Sequence, residues 1–143
     1  MKKKVAINGF GRIGRLVYRA FLERLNEFSN QYEISLINDL ADIDSNIHLL
    51  KYDSIHGPLN KNVNKISNEQ FSIGENTVTV TSEKNPIDLK WKDKKVDIIL
   101  ECTGVFASKE KAMSHIESGA SKVIVSAPCS GADITVVQGV NNK

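Results

Sequence analysis

Cysteine and proline are scarce in this sequence, and long apolar runs are missing. Its 143 residues include two cysteines, three prolines and 6% aromatic side chains. Because Cys102 and Cys129 match no zinc-ligand spacing and no secretory feature accompanies them, we expect reduced thiols, no disulfide framework and no metal site. No window is apolar enough for a membrane span, and the first lysines lead directly into a short strand without a signal-peptide core. The sequence therefore predicts a cytoplasmic protein that does not associate with membranes.

The charge balance is close to neutral, with a formal net charge of +2. The lysines around residues 2–4, 61–65 and 90–95 alternate with apolar or acidic residues and form no continuous basic stripe, so we expect no nucleic-acid partner. A content of 41% apolar and 25% charged residues in a chain of this length is typical of one globular domain with its own core. We therefore expect residues 1–143 to form a single domain.

Short apolar β-branched runs alternate with segments of helical period. We predict strands at residues 4–8 and 33–38 and a helix between them from Arg12 to about Glu27, which together make a βαβ unit. The apolar residues of this helix recur at three- and four-residue spacing, and we expect them to face the sheet. They are Ile13, Leu16, Val17, Ala20, Phe21 and Leu25.

The rest of the chain continues this alternation with one interruption. We predict a helix from Asp42 to about Tyr52 and a hairpin of residues 71–73 and 77–82 around a turn at 74–76. A further helix is expected to be capped by Ser108 and to run through Ile116, with Gly119 at its C-cap. Further strands are expected at residues 96–101, 122–126 and 134–137. The apolar strands indicate a parallel sheet covered on both faces, with the hairpin inserted at one edge.

A Gly-x-Gly-x-x-Gly motif, formed by Gly9, Gly11 and Gly14, lies between the first strand and the first helix. Gly9 permits the tight turn, Gly11 lets the backbone approach a pyrophosphate, and Gly14 lets the helix pack closely on the sheet. The helix N-terminus, with Arg12 and Ile13, then faces the anion. The motif predicts an α/β fold of the Rossmann type, doubly wound, with a mostly parallel sheet, an antiparallel hairpin insertion and a bound dinucleotide.

Asp39 follows the second strand, where an acidic residue accepts hydrogen bonds from the adenosine ribose. Its carboxylate would repel a 2′-phosphate, which favours NAD over NADP, although it lies further from the glycines than the usual ~20 residues. Thr103 and Ser126 follow two later strands, at the edge where ligands bind in open α/β sheets. On position alone, a place near the nicotinamide and a simple role in strand-ending turns are equally good interpretations of both residues.

No convincing catalytic set is visible in the sequence. We interpret Cys102 as a small buried thiol and Cys129 as a loop thiol, since neither has a histidine at a suggestive spacing. His48 and His115 are expected at the surface or boundary of helices, and His56 is expected to have a structural role in a loop.

Taken together, six stretches of the sequence resemble the N-terminal part of the glyceraldehyde-3-phosphate dehydrogenase family, in the family's order and over nearly the whole chain. They are Ile7-Asn-Gly-Phe-Gly-Arg-Ile-Gly-Arg15, Ile37-Asn-Asp-Leu40, Leu50-Lys-Tyr-Asp-Ser-Ile-His-Gly57, Glu101-Cys-Thr-Gly-Val-Phe106, Gly119-Ala-Ser-Lys-Val-Ile-Val-Ser-Ala-Pro128 and Gly139-Val-Asn141. The resemblance implies NAD contacts from Arg12 and Ile13 at the pyrophosphate and from Asp39 at the adenosine ribose. It also places Thr103 along the cofactor and Ser126 near the nicotinamide. Lys84 stands where the family often carries arginine near the adenine, so the positive charge is kept but the planar guanidinium group of arginine is absent.

The resemblance further implies a homotetrameric enzyme that oxidises and phosphorylates glyceraldehyde 3-phosphate with NAD in glycolysis. In the family the catalytic cysteine lies in a Ser-Cys-Thr-Thr-Asn-type loop beyond the Gly-Val-Asn segment, and the catalytic histidine lies further on. This chain stops at Lys143. We therefore expect a cofactor domain without the substrate domain and inactive alone. Erythrose-4-phosphate dehydrogenase, an NADP-preferring biosynthetic form and a standalone nucleotide-binding module are the alternatives.

Overall fold

The computed structural model describes all residues from Met1 to Lys143. The strands are β1 (Lys3–Asn8), β2 (Tyr32–Asn38), β3 (Tyr52–Asp53), β4 (Gly57–Pro58), β5 (Val63–Lys65), β6 (Gln70–Ile73), β7 (Asn76–Thr81), β8 (Ile98–Glu101) and β9 (Lys122–Val125). The helices are α1 (Arg12–Glu23), α2 (Leu25–Phe28), α3 (Ile43–Lys51) and α4 (Lys109–Glu117), and Pro86–Leu89 forms a 3-10 turn.

Seven strands form one sheet in the order β5-β6-β7-β2-β1-β8-β9, and β3 and β4 form a separate small sheet. Strands β7, β2, β1, β8 and β9 are parallel to one another, whereas β5, β6 and β7 pair in antiparallel fashion. The predicted Rossmann-type α/β fold with a hairpin insertion is thereby confirmed. Strand β5 was not predicted, and β7 belongs both to the hairpin and to the parallel sheet.

Apolar cores cover both faces of the sheet, as the doubly wound prediction requires. Because neighbouring side chains on a strand point to opposite faces, Val5 and Ile7 lie in one core while Ala6 lies in the other. The first core also receives Tyr18 and Leu22 of α1 and Leu50 of α3. The second contains Leu89, Trp91, Val96, Ile99 and Ala120, contributed mainly by the segment between β7 and β8.

The prediction of which residues of α1 face the sheet was wrong for Ile13 and Ala20. The buried side contains Gly14, Tyr18 and Leu22, spaced four residues apart, while Ile13 and Ala20 are exposed. Gly14 lies directly against the turn that precedes the helix, and this contact fixes the rotation of the helix about its axis. Phe21 and Leu25 do pack at the margin of the core, as expected.

Both predicted helix caps are confirmed. Asp42 accepts a hydrogen bond from Ser45 N at the start of α3, and Ser108 accepts one from Lys111 N at the start of α4. Gly119, with φ of 109°, follows α4. Its backbone lies against Lys92, so that a β-carbon there would be 2.5 Å from the Lys92 β-carbon. Residues 90–97, the irregular stretch after the 3-10 turn, are thus held against the end of α4.

Residues 134–137 form no strand, contrary to the prediction. They form no strand ladder with another segment, and Ile134, Val136 and Val137 are exposed. After β9 the chain is drawn toward the start of α4, where Lys109 N donates to Ser130 O. An apolar alternating segment becomes a strand only where it pairs with a neighbour, and residues 134–137 form no ladder with β9, the edge strand of the sheet. None of the helices has the length and apolar composition needed to cross a lipid bilayer.

Candidate functional site

The predicted site residues follow strands whose last residues lie side by side. The register aligns Thr81 with Asn38, Asn38 with Asn8, Asn8 with Glu101, and Glu101 with Val125. The glycine turn, Asp39, Lys84, Thr103 and Ser126 come directly after these ends. Strand β2, the next strand in the chain, lies on one side of β1, and β8 lies on the other. The strand order therefore reverses at β1, and ligands of open α/β sheets bind at such a reversal.

The turn from β1 into α1 has the close packing expected of its glycines. Gly9 has φ of 90°, and a β-carbon there would lie 2.8 Å from atoms of Thr103. Gly14 faces the carbonyl oxygen of Gly9 with no room for a side chain. The glycine turn between β1 and α1 is therefore packed between Thr103 and Gly14 of α1.

Helix α1 begins with free backbone donors. The N–H groups of Gly11, Arg12, Ile13 and Gly14 have no acceptor in the chain, and Gly11 supplies no side-chain cap. No atom lies within 4 Å of the place where a Gly11 β-carbon would be. No acidic residue stands in the first turn of the helix. Open donors at a helix N-terminus with an unobstructed approach fit a pyrophosphate group.

Asp39 closes the other side of the glycine turn. Its Oδ2 accepts a hydrogen bond from Phe10 N at 2.7 Å, and its Oδ1 accepts one from Ala41 N at 2.9 Å. The carboxylate is therefore held in a fixed orientation beside the glycines, with capacity left for further donors. Paired hydroxyl groups of a ribose are donors that match this acceptor.

Three of the predicted contact residues are exposed at the rim of this region. Arg12 Nη1 lies 3.8 Å from Asp53 Oδ2, and Ile13 is exposed at the surface of α1. Lys84 is also exposed, one residue beyond Glu83, whose carbonyl oxygen accepts from Asn38 Nδ2. These side chains thus lie at the exposed rim between the start of α1 and the end of β7.

Thr103 and Ser126 lie on the opposite side of the glycine turn from Asp39. The Thr103 N–H and hydroxyl both donate to Glu101 Oε1. Burial raises the pKa of the neighbouring Cys102 thiol, a hydrogen bond with the Ser126 side chain opposes this, and the Glu101 charge adds to the rise. Cys102 is half-buried, somewhat more exposed than predicted, and remains a protonated thiol with no histidine beside it.

The sequence reasoning missed a buried polar cluster beneath this edge. His115, predicted at a surface or boundary, is wholly buried, and its Nε2 lies 2.7 Å from Glu101 Oε2. Trp91 Nε1 donates to His115 Nδ1 at 3.0 Å. The position of Glu101 at the end of an apolar strand could have indicated this cluster, because a buried carboxylate requires hydrogen-bond partners. Helical periodicity alone gave no indication of His115.

The cluster continues across three more strands. Asn8 Nδ2 donates to Glu101 Oε2 at 2.6 Å, and Asn38 Nδ2 donates to Asn8 Oδ1 at 2.7 Å. Thr81 Oγ1 and Glu83 N then donate to Asn38 Oδ1. Burial alone would raise the pKa of Glu101, but the hydrogen bonds from His115, Asn8 and Thr103 outweigh it and hold the pKa below the usual value.

No three His, Cys, Asp or Glu side chains are grouped so that they could hold a metal ion. His48 packs against Tyr52, and His56 lies exposed in the loop between β3 and β4. The site consists of a phosphate-sized cradle, an oriented carboxylate and polar strand ends. These are features that a dinucleotide site requires.

Comparison with known proteins agrees with this geometry. Residues 3–109 match the family model described as glyceraldehyde 3-phosphate dehydrogenase, NAD binding domain. The chain is similar to glyceraldehyde-3-phosphate dehydrogenases of Xanthobacter flavus (47% identical, all of this chain and 42% of the relative), Cereibacter sphaeroides (46%, with 99% and 41% covered) and Thermotoga maritima (49%, with 96% and 40% covered). It therefore spans about two fifths of the length of these relatives.

Proposed function

Because the chain belongs to the glyceraldehyde-3-phosphate dehydrogenase family, whose NAD-binding domain it matches, we propose that residues 1–143 form the cofactor domain of an enzyme that converts glyceraldehyde 3-phosphate to 1,3-bisphosphoglycerate in glycolysis. The observation that carries this proposal is the set of free N–H groups at Gly11–Gly14 beside the oriented Asp39 carboxylate. NAD, when bound, supplies the hydride acceptor.

The pyrophosphate is held by the first turn of α1. Gly11, Arg12, Ile13 and Gly14 direct their N–H groups at it, and the helix dipole adds about 0.3–1 kcal/mol of attraction for an exposed anion. Gly9 and Gly14 keep the turn tight enough for this approach. Arg12 adds a positive charge, which Asp53 holds near the helix start.

Asp39 accepts hydrogen bonds from the adenosine ribose hydroxyl groups. A 2′-phosphate would bring negative charge against this carboxylate, which has no cation paired with it. NAD is therefore preferred over NADP. Lys84 lies on the adenine side, Thr103 along the cofactor, and Ser126 toward the nicotinamide.

Residues 1–143 bind and orient the cofactor but do not supply the nucleophile. Cys102 is protonated and lies against the negative charge of Glu101, which disfavours a thiolate. His115 is buried with both ring nitrogens engaged, so it has no free nitrogen for a substrate. For the whole enzyme, we propose in addition that it binds its substrate outside residues 1–143, forms a homotetramer and is located in the cytoplasm. An assay of this chain alone is expected to show no NAD-dependent oxidation of glyceraldehyde 3-phosphate, and turnover would contradict this.

Titration calorimetry with NAD and NADP tests the cofactor proposal. Asp39→Asn removes the charge and keeps one oxygen as an acceptor for Phe10 N, at the loss of the bond from Ala41 N, so the preference for NAD over NADP should narrow. Asp93→Asn, which removes an exposed charge far from the site, is the matched control and should behave as the wild type. Equal binding of NAD and NADP by the wild type, or an unchanged preference in Asp39→Asn, would contradict the role of Asp39.

A further inference from the structure

We propose that Glu101 is a positioning residue for the cofactor: as a buried carboxylate it fixes Thr103 so that the threonine hydroxyl accepts a hydrogen bond from bound NAD and donates none. This inference rests on the proposed NAD site. It concerns groups beneath that site, and it assigns a role to the buried cluster of Glu101, His115, Asn8 and Asn38.

The carboxylate of Glu101 is fully occupied by donors. Oε2 accepts from Asn8 Nδ2 at 2.6 Å and lies 2.7 Å from His115 Nε2. Oε1 accepts from both the N–H and the hydroxyl of Thr103. An ionised carboxylate offers about four acceptor sites and no donor, so this arrangement suits the charged form and leaves no site free.

The protonation of His115 follows from its other partner. The indole N–H of Trp91 is only a donor, so His115 Nδ1 must be unprotonated to accept from it. The hydrogen of a neutral ring is then on Nε2, where it points at Glu101. Trp91 therefore fixes the tautomer in which His115 donates to the carboxylate.

The two asparagines are oriented from the opposite end. The N–H of Glu83 is a backbone donor and cannot be reversed, and it donates to Asn38 Oδ1. Asn38 Nδ2 consequently faces Asn8 Oδ1, and Asn8 Nδ2 faces Glu101. Donors from both ends of the cluster thus converge on one carboxylate, and none of the amide groups can flip without placing two donors or two acceptors together.

This convergence determines what Thr103 offers to a ligand. Its hydroxyl hydrogen is used on Glu101, and one lone pair accepts from Val105 N at 3.1 Å. One acceptor site remains, on an exposed residue beside the glycine turn. A hydroxyl or amino group of NAD can donate a hydrogen bond to this remaining lone pair of Thr103. A carbonyl or phosphate oxygen of NAD cannot bond there, because the Thr103 hydroxyl has no hydrogen left to donate.

Glu101→Gln tests this with almost no change of shape. The new NH₂ group is expected to face Thr103, where it opposes only one fixed donor, because on the other side it would oppose both Asn8 and His115. The Thr103 hydroxyl then loses the acceptor that fixes it. We expect NAD affinity to fall about fivefold to tenfold, the effect of one lost hydrogen bond. Glu75→Gln, at an exposed turn, is the control and should leave the affinity unchanged.

A double-mutant cycle separates positioning from general stability. If Glu101 acts through the Thr103 hydroxyl, Thr103→Val should weaken NAD binding by a similar factor, and adding Glu101→Gln to it should cost little more. Additive losses, or a normal affinity in Glu101→Gln while Thr103→Val binds weakly, would overturn the proposal. A wild type that does not bind NAD would instead defeat the proposed function, and this inference with it.

A second measurement needs neither a variant nor the cofactor. Nitrogen-15 NMR of the His115 ring in the wild-type chain should show the neutral form protonated on Nε2 at neutral pH. A ring protonated on Nδ1 would be incompatible with the Trp91 contact and with a donor aimed at Glu101, and it would overturn the proposal even if Glu101→Gln failed to fold.

Discussion

A β-carbon on Gly14 would lie 2.1 Å from the carbonyl oxygen of Gly9. It would also meet Ile7 Cγ2 at 3.2 Å, on the strand beneath. The first turn of α1 therefore rests directly on the backbone of the preceding turn, and the sequence can place only glycine at this position.

Substitution of Gly14 by alanine should disturb fold and site together. The added methyl group forces α1 away from β1, and overpacking of this kind costs about 1–3 kcal/mol. Urea denaturation of Gly14→Ala should show this loss in the free energy of unfolding, and calorimetry should show weaker NAD binding. A variant as stable as the wild type would mean that the helix can move without cost.

Gly11→Ala should separate binding from stability. Gly11 has φ of −72°, which suits any residue, and a β-carbon there meets nothing within 4 Å. We expect the free energy of unfolding to fall by about 1 kcal/mol or less, because alanine is a poorer N-cap than glycine. NAD affinity should fall clearly, because the methyl group occupies the approach to the helix N–H groups. Unchanged NAD binding would argue against a pyrophosphate at this place.

The stability of the fold should depend on the ionisation of Glu101. Its pKa in the folded protein is lowered, so it stabilises the fold above the unfolded-state value of about 4.3, and this contribution is lost as the pH falls through the folded pKa. At pH 7 Glu101→Gln should be less stable by about 2 kcal/mol, the cost of leaving buried donors unpaired. The difference should shrink below about pH 4 in unfolding experiments. Glu75→Gln should follow the wild type throughout, and a difference that grows in acid would contradict the assignment.

Cys102 should react slowly with thiol reagents. Burial and the Glu101 charge both raise its pKa, so little thiolate is present at neutral pH. Mass spectrometry after timed exposure to iodoacetamide at pH 7.5 should show Cys102 modified more slowly than glutathione. Rapid modification would contradict this and would reopen Cys102 as a nucleophile.

Much of the fold was predictable because its determinants are local. Apolar strands, cap residues at Asp42 and Ser108 and the glycine spacing each depend on a few neighbouring residues. The strand ends that carry Asp39, Thr103 and Ser126 could be placed at one edge because parallel strands share their direction. Their contacts with NAD remain predictions.

The features that were mispredicted depend on distant contacts. The rotation of α1 follows from the approach of Gly14 to Gly9, which outweighs the apolar periodicity of Ile13 and Ala20. The burial of His115 depends on Trp91 and Glu101, which lie on other elements. Residues 134–137 have the composition of a strand but no partner beside them, and composition cannot reveal this.

The contact between Gly119 and Lys92 also bears on the order of folding. Lys92 N donates to Ser118 O and Trp91 N to Ser118 Oγ, so the irregular stretch after the 3-10 turn is held by residues that follow it in the chain. Local hydrogen bonds, such as those from Val96 N to Trp91 O and from Lys95 N to Lys92 O, shape the stretch itself, but the docked C-terminal end of α4 holds it in place. Because the Trp91 indole lies in the second core, we expect its fluorescence during refolding to follow the docking of α4 rather than the formation of the glycine turn.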